Sequence, residues 1–127
     1  MTLSREEILA MPSGRELDVL VAEKVMRGTA HTYVFNNKTI NGMMVPIENG
    51  TRISRIPHYS TDISAAWEVV EKMKRNDWVF VINSISEEWT ALFYLDRIHE
   101  HEVTCNSAPE AICKAALLAI MNGGDNQ

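Results

Sequence analysis

The chain has 127 residues, enough for one domain of ordinary size that folds without a disulfide or a structural metal. Its hydrophobic and charged fractions, 46% and 23%, are those of a globular domain, and no apolar run approaches the ~20 residues of a membrane span. A net charge of −5 argues against wrapping a nucleic-acid polymer, which needs a basic face, but leaves room for a small phosphorylated ligand met by one or two arginines.

Taken in chain order, helix starts come first. Ser4 and Glu7 are spaced as a capping box ahead of Ile8 and Leu9, and Pro12 interrupts that turn. Ser13 and Glu16 repeat the spacing. The helix that follows carries Leu17, Leu20, Val21 and Val25 on one stripe, with Gly28 as its stop. Within residues 29–51, Asn36-Asn37, Asn41-Gly42 and Asn49-Gly50 are turn signals that bracket two short strand-like pieces, 32–35 and 43–47. The expectation is a β-arm whose Met43, Met44, Val45 and Ile47 need a partner to cover them.

A central helix follows Tyr59-Ser60-Thr61-Asp62, with Ile63, Ala66, Trp67, Val70 and Met73 at helical spacing. Three strands are expected next, at 78–83, 89–95 and 101–105. The first two are read as apolar on both faces, the first with Trp78, Phe80 and Ile82 on one and Val79 and Val81 on the other. Ser107 and Glu110 open a last helix, with Pro109 in its first turn. From 111 to 121 only Lys114 is charged, so this helix is buried on more than one side, within the domain or at a subunit contact. Short loops between the strands suit an antiparallel meander. The fold class expected is α+β: a three-layer α/β/α sandwich in one domain over residues 1–127, with the arm at about 29–51 as an insertion.

Three blocks of this chain resemble a known family. They are SREEILAMPSGRELDVLVAEKVM (4–26), YSTDISAAWEVVEKM (59–73) and SAPEAICKAALLAIM (107–121). They are similar to the phage ABA-sandwich domain family of small bacteriophage and prophage proteins. The resemblance implies a sandwich of helices about a small antiparallel sheet and a Gram-positive phage or prophage origin. It implies no catalytic motif, and it leaves the Asn-rich arm without a counterpart. By size, compactness and acidity the chain also resembles phage anti-defence sponges, which bind cyclic nucleotide or cyclic ADP-ribose signals without cleaving them.

The residues that point to a binding site lie at the entrance of the central helix. A helix N-terminus leaves four N–H groups unpaired and carries about half a positive charge. Arg52 and Arg55 would make bidentate contacts with phosphate oxygens, Ser60, Thr61 and backbone N–H groups would complete the cradle, and His58 or Tyr59 would stack on a base. Trp89, beside Glu87 and Glu88 at a strand start, is a further exposed contact. The plainer alternative is that Pro57 sets a loop, one of Ser60, Thr61 or Asp62 caps the helix, and the arginines are solvated.

Catalytic readings are thinner. His58-Tyr59-Ser60 matches half of the two-histidine phosphoesterase pattern, and no second copy exists. His99, His101 and Cys105 would share a strand face, a geometry that can hold zinc, although an alternating polar strand explains it equally. Cys113 belongs to the core, and Cys105 has no fixed basic neighbour. Trp67 and Trp78 are assigned to packing. The expectation is a protein that is not an enzyme, with no cofactor and no metal. It would bind a small phosphorylated nucleotide as a homo-oligomer in the host cytoplasm, touching neither nucleic-acid polymer nor membrane. The alternative is a protein-interaction module acting through the arm; a third reading is a phosphodiesterase.

Overall fold

A computed structural model describes residues 4–26, 29–35, 38–47, 50–96 and 99–123, with side chains at 4–26, 56–96 and 99–121. The first helix, α1, is Arg5–Ala10. Ser4 caps it as expected: its hydroxyl accepts from the Glu7 N–H at 3.1 Å, and the Glu7 carboxylate accepts from the Ser4 N–H at 2.8 Å. The second, α2, is Arg15–Lys24, and here the expected Ser13–Glu16 box does not form. Gly14 is the N-cap, at φ 148°, a conformation L side chains rarely adopt. Its N–H donates to the Ser60 hydroxyl instead, so a distant side chain takes over the capping.

The arm is larger than the sequence suggests. It forms β1 (Thr29–Phe35), β2 (Lys38–Ile47) and β3 (Gly50–Arg55), an antiparallel sheet in the order β1-β2-β3. Asn41-Gly42 is not a turn. Gly42 lies inside β2, opposite His31 on one side and Arg55 on the other. Phe35 pairs with Lys38 and Ile47 with Gly50, around the other two Asn signals; residues 36, 37 and 49 lie outside the described residues, as does Gly28.

The central helix, α3, is Ile63–Arg75. Asp62 caps it, its Oδ1 accepting from the Ser64 N–H at 2.9 Å. The buried stripe is Ala65, Ala66, Val69, Val70 and Met73. It is rotated from the expected one, because α3 turns its alanines toward the last helix; Ile63 and Trp67 are left half exposed at the side.

Strands β4 (Val79–Ile85), β5 (Glu88–Tyr94) and β6 (Glu100–Cys105) form a second antiparallel sheet in sequence order. The register stacks Phe80, Phe93 and His101 in one row and Ile82, Ala91 and Val103 in the next, all on the face toward the helices. The small antiparallel sheet with helices, an α+β fold, is as expected. On the opposite face Val79, Val81 and Ile85 stand exposed.

Helix α4, Ala108–Leu118, runs on into a π-helical turn, Ala119–Gly123. The Ser107 hydroxyl caps it, with Pro109 in the first turn. Every residue from 111 to 119 is buried, because α4 lies on β5 and β6 and is flanked by α3 and α1. It is the centre of the domain, not a subunit surface. Lys114, almost fully buried, donates to the Leu9 carbonyl at 2.9 Å and to Glu110 at 2.7 Å, which pins α1 to α4. No helix among the described residues is long and apolar enough to cross a membrane.

His101 is a polar group in this core. Its ring meets Trp78 at 6.1 Å, and Nε2 is buried without a hydrogen-bond partner among the described residues. Burial first, then Arg5 and His99, lowers its pKa below the ordinary 6.5. The unfolded chain therefore takes up a proton that the folded one resists. Stability from this residue is full above about pH 6.5 and is lost as pH falls through that value. His101→Phe, which matches its apolar neighbours, should leave stability at neutral pH equal or higher and flatten the acid limb in urea titrations across pH.

Candidate functional site

The segment linking β3 to α3 is tied to the start of α2 by one carboxylate. Asp18 sits in the first turns of α2, beside Leu17, and is fully buried. Its Oδ1 accepts from the Ser60 N–H at 2.8 Å and from the Ser60 hydroxyl at 2.7 Å. Its Oδ2 accepts from the Arg15 guanidinium at 2.9 Å. A hydroxyl has one proton to give, and Asp18 is the nearer acceptor; the Gly14 carbonyl, at 3.2 Å, is left as a weaker contact.

Arg15 reaches further. Nη2 donates to the Ile56 carbonyl at 2.9 Å, and Nη1 lies 3.1 Å from His58 Nδ1. A guanidinium only donates, so Nδ1 is the acceptor and the neutral ring carries its proton on Nε2, toward solvent. Arg15 is partly exposed and His58 mostly so. The result is a guanidinium held in place at the exit of β3, with an imidazole beside it at the surface.

The sequence-derived residues divide between this junction and other parts of the fold. His58 is at the junction and exposed. Tyr59 is buried in the core, and burial, with smaller contributions from Glu68, Cys113 and Asp18, pushes its hydroxyl pKa up, so it stays protonated. Ser60 is buried, and both its donors point at Asp18. The chain's own carboxylate thus occupies the position in which a ligand anion would meet Ser60. Thr61 is exposed; its N–H and that of Asp62 donate to the His58 carbonyl at 3.2 and 2.9 Å.

Arg52 and Arg55 lie in β3, opposite Val45 and Gly42. Their side chains lie outside the described residues. Trp89 belongs elsewhere, in the sheet row of Ser84 and Cys105, and is half exposed. Sequence reasoning missed Arg15 and Asp18. The signal was present: Asp18 directly follows the core residue Leu17, three residues after an arginine that could pair with it.

The other chemical readings gain nothing from the geometry. His99 is bound to Asp96 at 3.0 Å, and no group of three His, Cys, Asp or Glu among the described residues could hold a metal. Burial, aided by Glu110, pushes the Cys105 thiol up to about 11, and burial pushes Cys113 up further, so neither supplies a thiolate near neutral pH.

The model of the phage ABA sandwich domain matches residues 19–117, most of the chain. The chain belongs to that family. It is also similar to a solved structure, a phage protein from Bacillus cereus ATCC 14579 at 2.0 Å, with a TM-score of 0.61 and 24% identity over 88% of this chain and 90% of that one. That likeness concerns the fold. No curated protein matches the chain. In this phage ABA sandwich protein, Arg15 and Asp18 stand just before the matched residues, while Ile56, His58 and Ser60 lie inside them.

Removing the carboxylate leaves the Ser60 N–H and hydroxyl without an acceptor in a dry space. Asp18→Ala should therefore cost about 2–4 kcal/mol in urea unfolding, and Ser60→Ala about 1–2 kcal/mol. The double variant should lose less than the sum of the two, since both remove the same interaction.

Proposed function

We propose that this phage protein acts by binding rather than by chemistry, and that it sequesters a small phosphorylated signal of the cyclic nucleotide or cyclic ADP-ribose type as an anti-defence sponge. The observation that carries the reading is the fixed guanidinium of Arg15 at the exit of β3, beside the exposed His58. Arg55 directly precedes Ile56, whose carbonyl Arg15 holds, and Arg52 lies three positions earlier. In a chain of net charge −5, residues 52–58 carry two arginines and a histidine and no carboxylate. A guanidinium already held by its neighbours loses little freedom when an anion arrives.

The reading shifts the contact away from the α3 N-terminus. Asp62 offers its own carboxylate there, and Ser60 is engaged. The base-facing contact falls to His58. Protonated thiols and a serine whose proton is given to a buried carboxylate support holding a ligand over turning it over.

A second reading is favoured by a separate observation. The arm is a complete three-stranded sheet set between α2 and α3, and β1 and β3 are its two edges. Such a sheet can accept a strand or a surface from another protein, which would make the chain an interaction module.

Calorimetry with cyclic dinucleotides and cyclic ADP-ribose isomers tests the first reading. One of them should bind, Arg55→Ala should weaken it at least about 30-fold, a loss of ~2 kcal/mol, and the compound should be recovered intact after heat denaturation. Failure to bind any of them contradicts sequestration, and a cleaved product contradicts a binding-only role. A partner protein lost on substituting arm residues, with no small-molecule heat, selects the interaction module.

A further inference from the structure

We infer that β4 is a homodimer contact, pairing antiparallel with β4 of a second copy about a two-fold axis, with α3 as the second layer of the same interface. The sheet β4-β5-β6 has two edges, and they are unlike. The β6 edge carries Glu100 and Glu102, the kind of charge that keeps an exposed edge from pairing. The β4 edge reads VFVINSI, with no charge, no proline and no glycine in its seven residues. Among the described residues β4 is hydrogen-bonded on one side only, to β5. A strand of that composition with a free edge recruits another strand.

Exposed apolar side chains collect on both sides of this strand. On its outer face Val79 and Val81 are 44% and 40% exposed and Ile85 is 78% exposed. Over its inner face, α3 leaves Ile63 and Trp67 exposed at 50% and 45%. These two are one turn apart on the helix, and the Trp67 ring stands edge-on to Phe80 of β4 at 5.7 Å. The indole therefore sits over the edge strand. One apolar surface runs from the helix, across the strand edge, to the far side of the sheet.

Charge selects a second copy and this geometry. Stacking two outer sheet faces would bring Glu88, Glu100 and Glu102 of one chain over those of the other, in a protein already at −5. Edge pairing keeps these glutamates away from the contact on β5 and β6. With Ile82 opposite its own copy, Phe80 faces Ser84 and Val81 faces Asn83, while Val79 faces Ile85. No charged pair is opposed anywhere along the strand. The two α3 helices then meet across the axis, and Trp67 and Ile63 cover their counterparts. The result is a six-stranded sheet with its acidic edges outermost. It does not depend on what the arm or Arg15 binds.

Sedimentation equilibrium on the full chain tests this, with Trp67→Lys, Val81→Lys and Leu92→Lys as variants, each checked for folding by far-ultraviolet circular dichroism. Leu92 lies on the outer face of the middle strand, away from the edge. The expected result is a dimer of the 14.4 kDa chain whose dissociation constant rises at least about tenfold in the first two variants and stays the same in Leu92→Lys. A wild-type chain that remains monomeric at ~100 µM overturns the proposal. So does a dimer that Leu92→Lys breaks and Trp67→Lys does not, since that is stacking of sheet faces.

Discussion

A single buried carboxylate determines how the two halves of this chain meet. Asp18 takes two hydrogen bonds from Ser60 and one from Arg15, and it has no exposure to water. A buried charge is tolerable only when it is fully paired. Pairing it fixes three things together. It fixes the start of α2, whose N-cap Gly14 is held by the Ser60 hydroxyl. It fixes the segment leading into α3. Through Arg15 and Ile56, it also fixes the point at which β3 leaves the arm. The arm sheet is inserted between elements that this contact clamps, so the contact closes the loop containing it and offsets part of the entropy of that closure.

The rest of the fold is organised around α4. An apolar helix buried all round needs cover on every side, and β5, β6, α3 and α1 provide it. Lys114 is admitted to this core because Glu110 and the Leu9 carbonyl satisfy it. Helices α4 and α3 pack on the sheet β4–β6, and Val79, Val81 and Ile85 of β4 stay exposed. Sequence patterning in β4, apolar on both sides, was written for a strand with two covered faces and a covered edge. On the dimer proposal, another chain pairs with its edge.

The helices were legible because caps and periodicity are local. Ser4 and Ser107 cap as their spacing suggests, Asp62 is the cap among the three candidates ahead of α3, and α4 is buried as its composition requires. The three strands of the second sheet were legible within a residue or two. Ser13 failed as a cap because the competing interaction comes from Ser60, 46 residues away from Gly14, and no local rule contains it. Asn41-Gly42 failed as a turn because pairing on both sides of β2 outweighs a dipeptide preference. Trp67 was read as core because helical spacing identifies a stripe only to within one position. At the site, His58 is at the surface beside Arg15. Ser60 was read as a ligand contact because the sequence does not reveal which acceptor a buried hydroxyl will find. Asp18 was missed since an acidic residue in a helix is solvated far more often than buried.

The account stands on the Asp18 contact holding the α2 start and the α3 entrance as one cooperative unit. Native-state hydrogen exchange at the amides of Ser60 and Gly14, both donors in this network, measures that directly. The account predicts that both exchange only through global unfolding, with protection free energies equal to that of the α4 core, and that Asp18→Asn lowers both together. Exchange of the Ser60 amide at the rate of an exposed loop, independent of α4, would contradict it.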